Sequence, residues 1–382
     1  MKKYLICCGD PNDINSWSGT PFHILNMAKE LSLEMKGLKL DPMKFLFLRY
    51  IWNLKQYVLS GNFSGFQYSD LFLENLFKQI KIKAAEEIIL ISTYPLLPRT
   101  SSSNNWKIVY YLDATTKQIF DEYGSFNSIS RKYRDNILNQ EKKNFGNSKI
   151  IFCMSEWAKN SLVNDYDVPN EKIVILPGGA NIQKKYLGKY SINNSFPSPP
   201  SNSHPLKIGF IGQDWERKGG PKVLDIVNRL NLNSIPTILR IIGVNKEKLP
   251  KSRYIQHLGF INKNKNMEKF ISEVQSWHFG ALFSKAEAFG ISNRECLYLG
   301  VPIICHDVGG IRSTLPTNGL NFGRIFKSEE TTQSIADWVT EIIKDYSLYI
   351  KLRNQILKNN LQFSWEPSIK KMFESLSLIE NK

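Results

Sequence analysis

The sequence predicts an α/β protein of two domains, each a parallel sheet with helices on its faces. Three observations carry that prediction. Short apolar runs alternate with helix-length amphipathic stretches almost from end to end, the pattern of strands joined by crossover helices. The alternation breaks once, at Ser191 to Pro205, SINNSFPSPPSNSHP, whose four prolines and five serines read as a linker. Both halves open alike, KYLIC and then KIGFI leading into a glycine, a polar loop and a helix. The length of 382 residues, at about 150 per domain, agrees with two.

In the first half the expected strands are Tyr4 to Cys8, Ile88 to Ile91, Ile108 to Leu112, Ile150 to Cys153 and Ile173 to Leu176. Helices are expected at Phe22 to Leu31, Ser130 to Asn144 and Ser155 to Asn164. After the linker the strands are Leu206 to Ile211, Ile238 to Ile242, Ile255 to Leu258, Phe279 to Phe283 and Pro302 to Cys305. The helices Pro221 to Leu230, Met267 to Val274, Ile291 to Leu299 and Thr332 to Lys344 separate them. This alternation implies two Rossmann-like domains facing one another, with a ligand cleft at the carboxyl ends of both sheets.

Composition narrows the classes. With 42% hydrophobic and 22% charged residues, the chain is neither disordered nor fibrous. No apolar run approaches the ~18 residues of a membrane-spanning helix. The start, MKKYLICCGD, has too short an apolar part for a signal peptide and reads as a first strand. Five cysteines without a Cys-x-x-Cys pair, Cys7, Cys8, Cys153, Cys296 and Cys305, fit buried thiols in a reducing cytoplasm. Fifty Lys and Arg against thirty-five Asp and Glu give +15, an excess that favours anionic partners.

Two segments carry chemistry. In Ile208 to Gly220, IGFIGQDWERKGG, a strand ends at Gly212 and Gly219-Gly220 opens a helix behind Arg217 and Lys218. Two cations beside a helix N-terminus suit a diphosphate; a solvated strand-to-helix turn would have the same residues. The segment has neither the Walker A spacing nor the Gly-x-Gly-x-x-Gly fingerprint. In Phe283 to Gly310, FSKAEAFGISNRECLYLGVPIICHDVGG, Glu287 and Glu295 stand eight positions apart around the Phe289-Gly290-Ile291 turn. A carboxylate has two acceptor oxygens, suited to a vicinal diol, and the turn's amides are free for a phosphate oxygen. Helix-dipole preference alone would account for Glu295, but not for Glu287 or for Gly309-Gly310.

Together with SWSGTPFHILNMAKEL near the start and MSEWAKNSLVNDYDVPNEKIVILPGGAN before the linker, these segments resemble the family 4 retaining glycosyltransferases. The resemblance covers most of residues 1–30 and 107–365, and its most specific element is Glu-x7-Glu in the AEAFG context. It implies the GT-B architecture, two Rossmann-like domains facing a central cleft. Residues 1–190 would form the acceptor-side domain, rejoined by a closing helix at 365–382. Residues 191–205 would be the linker, and 206–364 the nucleotide-sugar donor domain. The implied reaction moves a sugar from a nucleoside-diphosphate sugar to an acceptor hydroxyl with retention. The expected setting is cell-surface polysaccharide, lipopolysaccharide or glycolipid synthesis; a phosphorylase or nucleotide-sugar epimerase of the same architecture is the alternative.

The resemblance also assigns roles. Lys218 matches the lysine that neutralises the donor diphosphate, Glu287 the glutamate facing the donor sugar, and Glu295 the one accepting from the ribose. Gly290 and Ile291 match the backbone donors to phosphate, in the turn that Phe289 opens, Ile261 a position near the nucleobase, and Gly19 the glycine-rich loop over the donor phosphate. The family has Arg where Gln213 stands, which leaves Arg217 as the replacement cation. It also has a histidine after the fourth strand where this chain reads Tyr111-Leu112-Asp113-Ala114-Thr115. Asp113 is therefore expected either to orient a hydroxyl or to cap the next helix. The architecture implies no metal and no cofactor beyond the sugar nucleotide.

Other candidates are weaker. Asp165-Tyr166-Asp167 spells a metal-binding Asp-x-Asp but sits in an expected connecting turn, and the histidines lack metal-ligand spacing. Among them His23 follows the Ser18-Gly19-Thr20 loop. Lys36 to Leu59 is aromatic-rich and carries five cations against Asp41. It could rest on an anionic membrane or be packed in the core. No nucleic-acid-binding module is visible. The expected partners are the nucleotide-sugar donor and a glycan or lipid-linked acceptor, and the expected location is the cytoplasm, peripheral to the inner face of the membrane.

Overall fold

A computed structural model describes residues 1–61, 64–83, 86–95, 97–98, 105–124, 129–186, 196–315 and 321–380, without the side chains of 59 and 60. The chain forms two compact units, Met1–Pro177 together with Pro367–Lys382, and Gly178–Glu366.

The first unit holds strands β1 (Lys2–Ile6), β2 (Lys36–Leu38), β3 (Ile88–Ser92), β4 (Trp106–Leu112), β5 (Ile150–Cys153) and β6 (Ile173–Ile175). All pair in parallel, in the order β2-β1-β3-β4-β5-β6. Its helices are α1 (Thr20–Glu30), α2 (Leu46–Ser60), α3 (Asp70–Phe77), α4 (Thr116–Glu122), α5 (Arg131–Asn147) and α6 (Glu156–Asn164). β3, IILIS, is buried along its whole length, as a strand covered on both faces must be. Its Ile88 and Leu90 enter a core with Phe72, Phe145 and Leu162, and Ile89 and Ile91 alternate to the other face.

The second unit holds β7 (Leu206–Ile211), β8 (Thr237–Ile242), β9 (Ile255–His257), β10 (Phe279–Leu282), β11 (Ile303–His306) and β12 (Gly323–Phe326). They form a second parallel sheet, β12-β11-β10-β7-β8-β9. Helices α7 (Gly220–Leu232), α8 (Lys263–Gln275), α9 (Ile291–Tyr298), α10 (Thr332–Lys344) and α11 (Tyr346–Lys358) cover it, with a separate core on either face. The last helix, α12 (Glu366–Glu380), packs on the first unit. Its Glu380 meets Lys3 at 2.7 Å and the N-terminal ammonium at 3.0 Å, and Ser368 donates to the Pro177 carbonyl at 2.7 Å.

Of the Ser191 to Pro205 stretch, residues 191–195 lie outside the described residues. The remainder rests on the second unit. The Arg353 guanidinium lies 5.3 Å from the Phe196 ring, and His278 Nε2 bonds the Ser198 carbonyl at 3.1 Å. Burial lowers the His278 pKa to about 4; its neutral ring accepts the Lys207 amide on Nδ1 and donates from Nε2.

Several details differ from expectation. β2, β12, α3 and α11 were not foreseen; β2 is a three-residue edge strand containing a glycine, too short for an alternation signal. β1 ends at Ile6, so Cys7 and Cys8 fall in the loop after it; Cys8 is exposed, which corrects the expectation of buried thiols, while the other four cysteines are buried. Helix α2 is not buried all round. Phe45, Leu48 and Trp52 pack inward against the core, and the opposite side stays in solvent.

Glu141, on α5, is fully buried and fixes the start of α4. Its carboxylate accepts from the Thr116 amide at 3.0 Å and the Thr116 hydroxyl at 2.8 Å, and from the Tyr166 hydroxyl. Burial pushes its pKa up to about 7, against the pull of those donors. A carboxyl that holds its proton more tightly when folded loses stability as pH rises from 4.5 towards 7 and levels off above. Equilibrium unfolding across that range should show wild type losing about 3 kcal/mol more than Glu141→Gln; parallel pH profiles would contradict this assignment.

Candidate functional site

In the second sheet the strand order reverses between β7 and β10: β8 and β9 follow to one side, β11 and β12 to the other. The loops leaving β7 and β10 turn to opposite faces, which opens a crevice at the strands' carboxyl ends. These two loops carry Arg217-Lys218 and Glu287.

The loop after β7 closes on itself before α7 begins, with the Lys218 amide donating to the Asp214 carbonyl at 3.1 Å. Gly219 turns the chain into α7 with φ +74°, and a Cβ there would stand 1.9 Å from the Phe283 carbonyl oxygen. The loops are stitched by the Lys285 amide, which donates to the Arg217 carbonyl at 2.8 Å. Lys218 Nζ then reaches Glu287 Oε2 at 2.9 Å. Arg217 lies 3.6 Å from the same oxygen and donates to the Ala286 carbonyl at 2.8 Å, while its amide is held by Asp214 at 3.0 Å. Ser284 Oγ donates to that Glu287 oxygen at 3.2 Å. Behind the carboxylate, the Gly310 amide donates to the Glu287 carbonyl at 3.0 Å. Gly309, at φ +55°, passes so close that a Cβ would stand 2.1 Å from that oxygen. The second glycine pair is thus explained by the backbone of Glu287.

Lys218 and Glu287 side chains are 17% and 12% exposed, so the pair is desolvated on one side and open on the other. Arg217 also meets Asp214 at 3.5 Å, so the two cations are shared between two carboxylates, the half-exposed Asp214 outside and Glu287 in the crevice. Lys222, in the first turn of α7, adds a cation held without a carboxylate. It donates to His306 at 2.7 Å and to the Glu330 carbonyl at 2.8 Å, and burial, reinforced by Lys222, lowers the His306 pKa to about 4.

A second group forms at α9. Gly290 is its N-cap with φ +95° and Ile291 its first residue, as the sequence predicts. Phe289 is buried, its ring 5.7 Å from the Arg294 guanidinium. Glu295 is 1% exposed and is paired with Lys263, whose ammonium also lies 4.2 Å from the Phe270 ring centroid. Ile261, two residues before Lys263, is buried in the adjoining core.

Gly19 and Asp113 belong to the first unit. Gly19 is the N-cap of α1 with φ +84°, in the loop after β1. The preceding Trp17 and Ser18 also have left-handed φ, 40° and 56°, an uncommon conformation for side-chain-bearing residues. Asp113 follows β4, but Thr115 caps α4, through a capping box with Gln118; the capping alternative for Asp113 is corrected. His23 is buried in α1 beside Phe22. Asp165 accepts from Ser161 on α6 at 2.7 Å, and Asp167 pairs with Lys142 on α5, so both aspartates have structural partners. Among the described residues no group of three or more His, Cys, Asp and Glu is placed to hold a metal ion.

Lys263, Ser284 and the Lys222–His306 pair escaped the sequence reading. Lys263 sits in KNKNMEK, where nothing local singles out one lysine; its proximity to Glu295 is purely tertiary.

These two parallel six-stranded α/β sheets have the fold of GT-B glycosyltransferases. The lipopolysaccharide-biosynthesis glycosyltransferase WaaG superposes with a TM-score of 0.61 at 13% identity, over 97% of this chain and 98% of its own. HepE of Anabaena, solved with UDP and glucose, gives 0.61 at 13% identity over 99% and 100%. At the sequence level, residues 191–362 match the family model Glycosyl transferases group 1. An uncharacterized glycosyltransferase of Methanocaldococcus jannaschii is 23% identical over 240 residues, which span 60% of this chain and 61% of that relative's length.

Lys263 is the ion-pair partner of the buried Glu295 carboxylate, and removing the ammonium takes that pair apart. Lys263→Met should destabilise the protein by about 3–5 kcal/mol in urea unfolding, with Lys263→Arg largely restoring it. Wild-type stability in Lys263→Met would show that the pair does not hold α9 to α8.

Proposed function

We propose that this protein is a retaining glycosyltransferase that moves a sugar from a nucleoside-diphosphate sugar to an acceptor hydroxyl. The observation that carries this reading is the Arg217–Lys218–Glu287 cluster at the strand-order reversal of a glycosyl transferases group 1 domain. Lys218 and Arg217 are assigned the donor diphosphate, whose charge grows as the glycosidic C–O bond breaks; fixed cations in a half-desolvated crevice stabilise that growth without reorganising. Glu287 is assigned the donor sugar's hydroxyls, and its bonds to Lys218 and Ser284 hold it in place. Glu295, with Lys263, is assigned the ribose, Ile261 the surroundings of the base, and the Phe289-Gly290-Ile291 turn a phosphate oxygen.

The acceptor is assigned to the first unit, with Asp113 to orient a hydroxyl and the Gly19 turn to meet phosphate. The acceptor oxygen attacks the anomeric carbon from the face the diphosphate leaves. Its proton passes to the departing phosphate oxygen, so configuration is retained with neither metal nor further cofactor. The setting assigned to the reaction is cell-surface polysaccharide, lipopolysaccharide or glycolipid synthesis, in the cytoplasm against a glycan or lipid-linked acceptor; the likeness to WaaG, a glycosyltransferase involved in lipopolysaccharide biosynthesis, supports the pathway.

Product analysis tests the reading. Incubation with a panel of nucleotide sugars and candidate acceptors should give a product whose anomeric configuration, by proton NMR, matches the donor. Arg217→Ala should weaken donor binding by about tenfold or more, and Lys218→Ala should lower kcat by about a hundredfold. An inverted product, release of free sugar alone, epimerised donor, or unchanged donor affinity in Arg217→Ala would each overturn the corresponding step.

A further inference from the structure

Helix α2 of the first unit carries the most unusual surface of the protein. Of fourteen large hydrophobic side chains exposed among the described residues, eight lie between Met43 and Val58. They are Met43, Leu46, Phe47, Tyr50, Ile51, Leu54, Tyr57 and Val58, with Phe47 74%, Tyr50 68% and Val58 77% exposed. At 100° per residue they occupy one arc of about 140°. The helix is seated by its other side: Trp52 lies 6.0 Å from Phe66 and 5.8 Å from Tyr133, and Phe45 lies 6.2 Å from Phe72. The outward stripe is therefore a second apolar face on a helix whose packing face is already satisfied. An apolar patch of this kind on a water-facing helix marks an interaction surface.

The charges around it select the occupant. Lys36, Lys39, Lys44, Arg49 and Lys55 are all exposed. From residue 36 to residue 69 the only acidic residue is Asp41, whose carboxylate is engaged by the Met43 amide at 3.0 Å. Lys44 and Lys55 are eleven residues apart, three helical turns, and border the same edge of the apolar arc. Two copies meeting through this stripe would bring these cations against one another, which costs affinity. An anionic bilayer instead offers hydrocarbon to the stripe and phosphate charge to its border. Tyr50 and Tyr57 have the amphipathic rings that sit at the level of lipid headgroups.

We infer that α2 lies flat on an anionic membrane surface, with Phe47, Leu54 and Val58 entering the acyl boundary and Lys44 and Lys55 on the headgroup phosphates. No helix among the described residues is long and apolar enough to cross a membrane, and this attachment needs none. The surface is independent of the Lys218–Glu287 cluster, so it stands or falls apart from the transfer reading.

The full-length chain is sedimented with vesicles of phosphatidylcholine alone and of phosphatidylcholine mixed with phosphatidylglycerol. Binding is expected only to the mixed vesicles and should weaken as salt rises. Phe47→Ser combined with Leu54→Ser should lower vesicle partitioning by about tenfold or more, with the melting temperature and nucleotide-sugar binding in solution unchanged. Lys44→Glu combined with Lys55→Glu should do the same at low salt, and decides the matter alone if the apolar pair fails to fold. Absence of wild-type binding to mixed vesicles, or equal binding by the charge-reversed variant, would overturn the inference. So would a wild-type dimer, seen by sedimentation velocity without vesicle binding and abolished by the serine pair, which assigns the stripe to a second copy. Loss of nucleotide-sugar binding by wild type would sink the transfer reading and leave the vesicle result standing.

Discussion

The ion pair between Lys218 and Glu287, shared by Arg217, is the contact on which the second unit's site depends. It joins the loops after β7 and β10, adjacent strands whose connections part to opposite faces. Where the connections part, the sheet leaves an opening at its carboxyl edge, and side chains of both loops meet there. The surrounding residues serve this junction. Gly219 lets α7 start against the Phe283 carbonyl, Gly309 passes under Glu287, and the Lys285 amide ties one loop to the other. Glycine is required at both positions because a side chain would collide with the backbone that presents the pair. The resulting centre is half-desolvated and fixes two cations and the Glu287 carboxylate side by side, so charges on a ligand there are screened less than in water.

Much of this was legible in the sequence because it rests on local signals. β5, β7 and α10 match their predicted spans residue for residue, each being a sharply bounded apolar or amphipathic run. Gly290 as the N-cap and Ile291 as the first residue of α9 follow from the glycine turn before an amphipathic stretch. The closeness of Arg217, Lys218 and Glu287 was not a local signal. It required the resemblance, because sixty-nine positions separate Lys218 from Glu287. Lys263 shows the limit: its pairing with Glu295 depends on α8 packing beside α9, and no spacing in KNKNMEK encodes that. Asp113 shows a different one. An aspartate three residues before the first residue of a helix is a plausible cap, but Thr115 with Gln118 satisfies two orphan amides at once.

The charge of +15 has acquired locations. Its least compensated part is the set of exposed cations Lys36, Lys39, Lys44, Arg49 and Lys55 on and before α2, with Asp41 alone against them, whereas structural pairs such as Lys3–Glu380 and Arg240–Glu273 cancel and add nothing to the net. Helix α2 also shows why periodicity alone could not decide between core and surface. Its sequence is apolar on two sides; one side satisfies the first unit's core, and the other is left for a partner.

The central claim is that Lys218 and Glu287 divide a nucleotide-sugar donor between them, the lysine on the diphosphate and the glutamate on the sugar. Titration calorimetry with a nucleoside diphosphate and with the corresponding nucleoside-diphosphate sugar tests it most directly. The account predicts that Lys218→Met weakens both ligands by about tenfold or more, while Glu287→Gln weakens only the sugar-bearing one. Equal losses for both ligands in both variants, or no binding of either ligand to wild type, would contradict it.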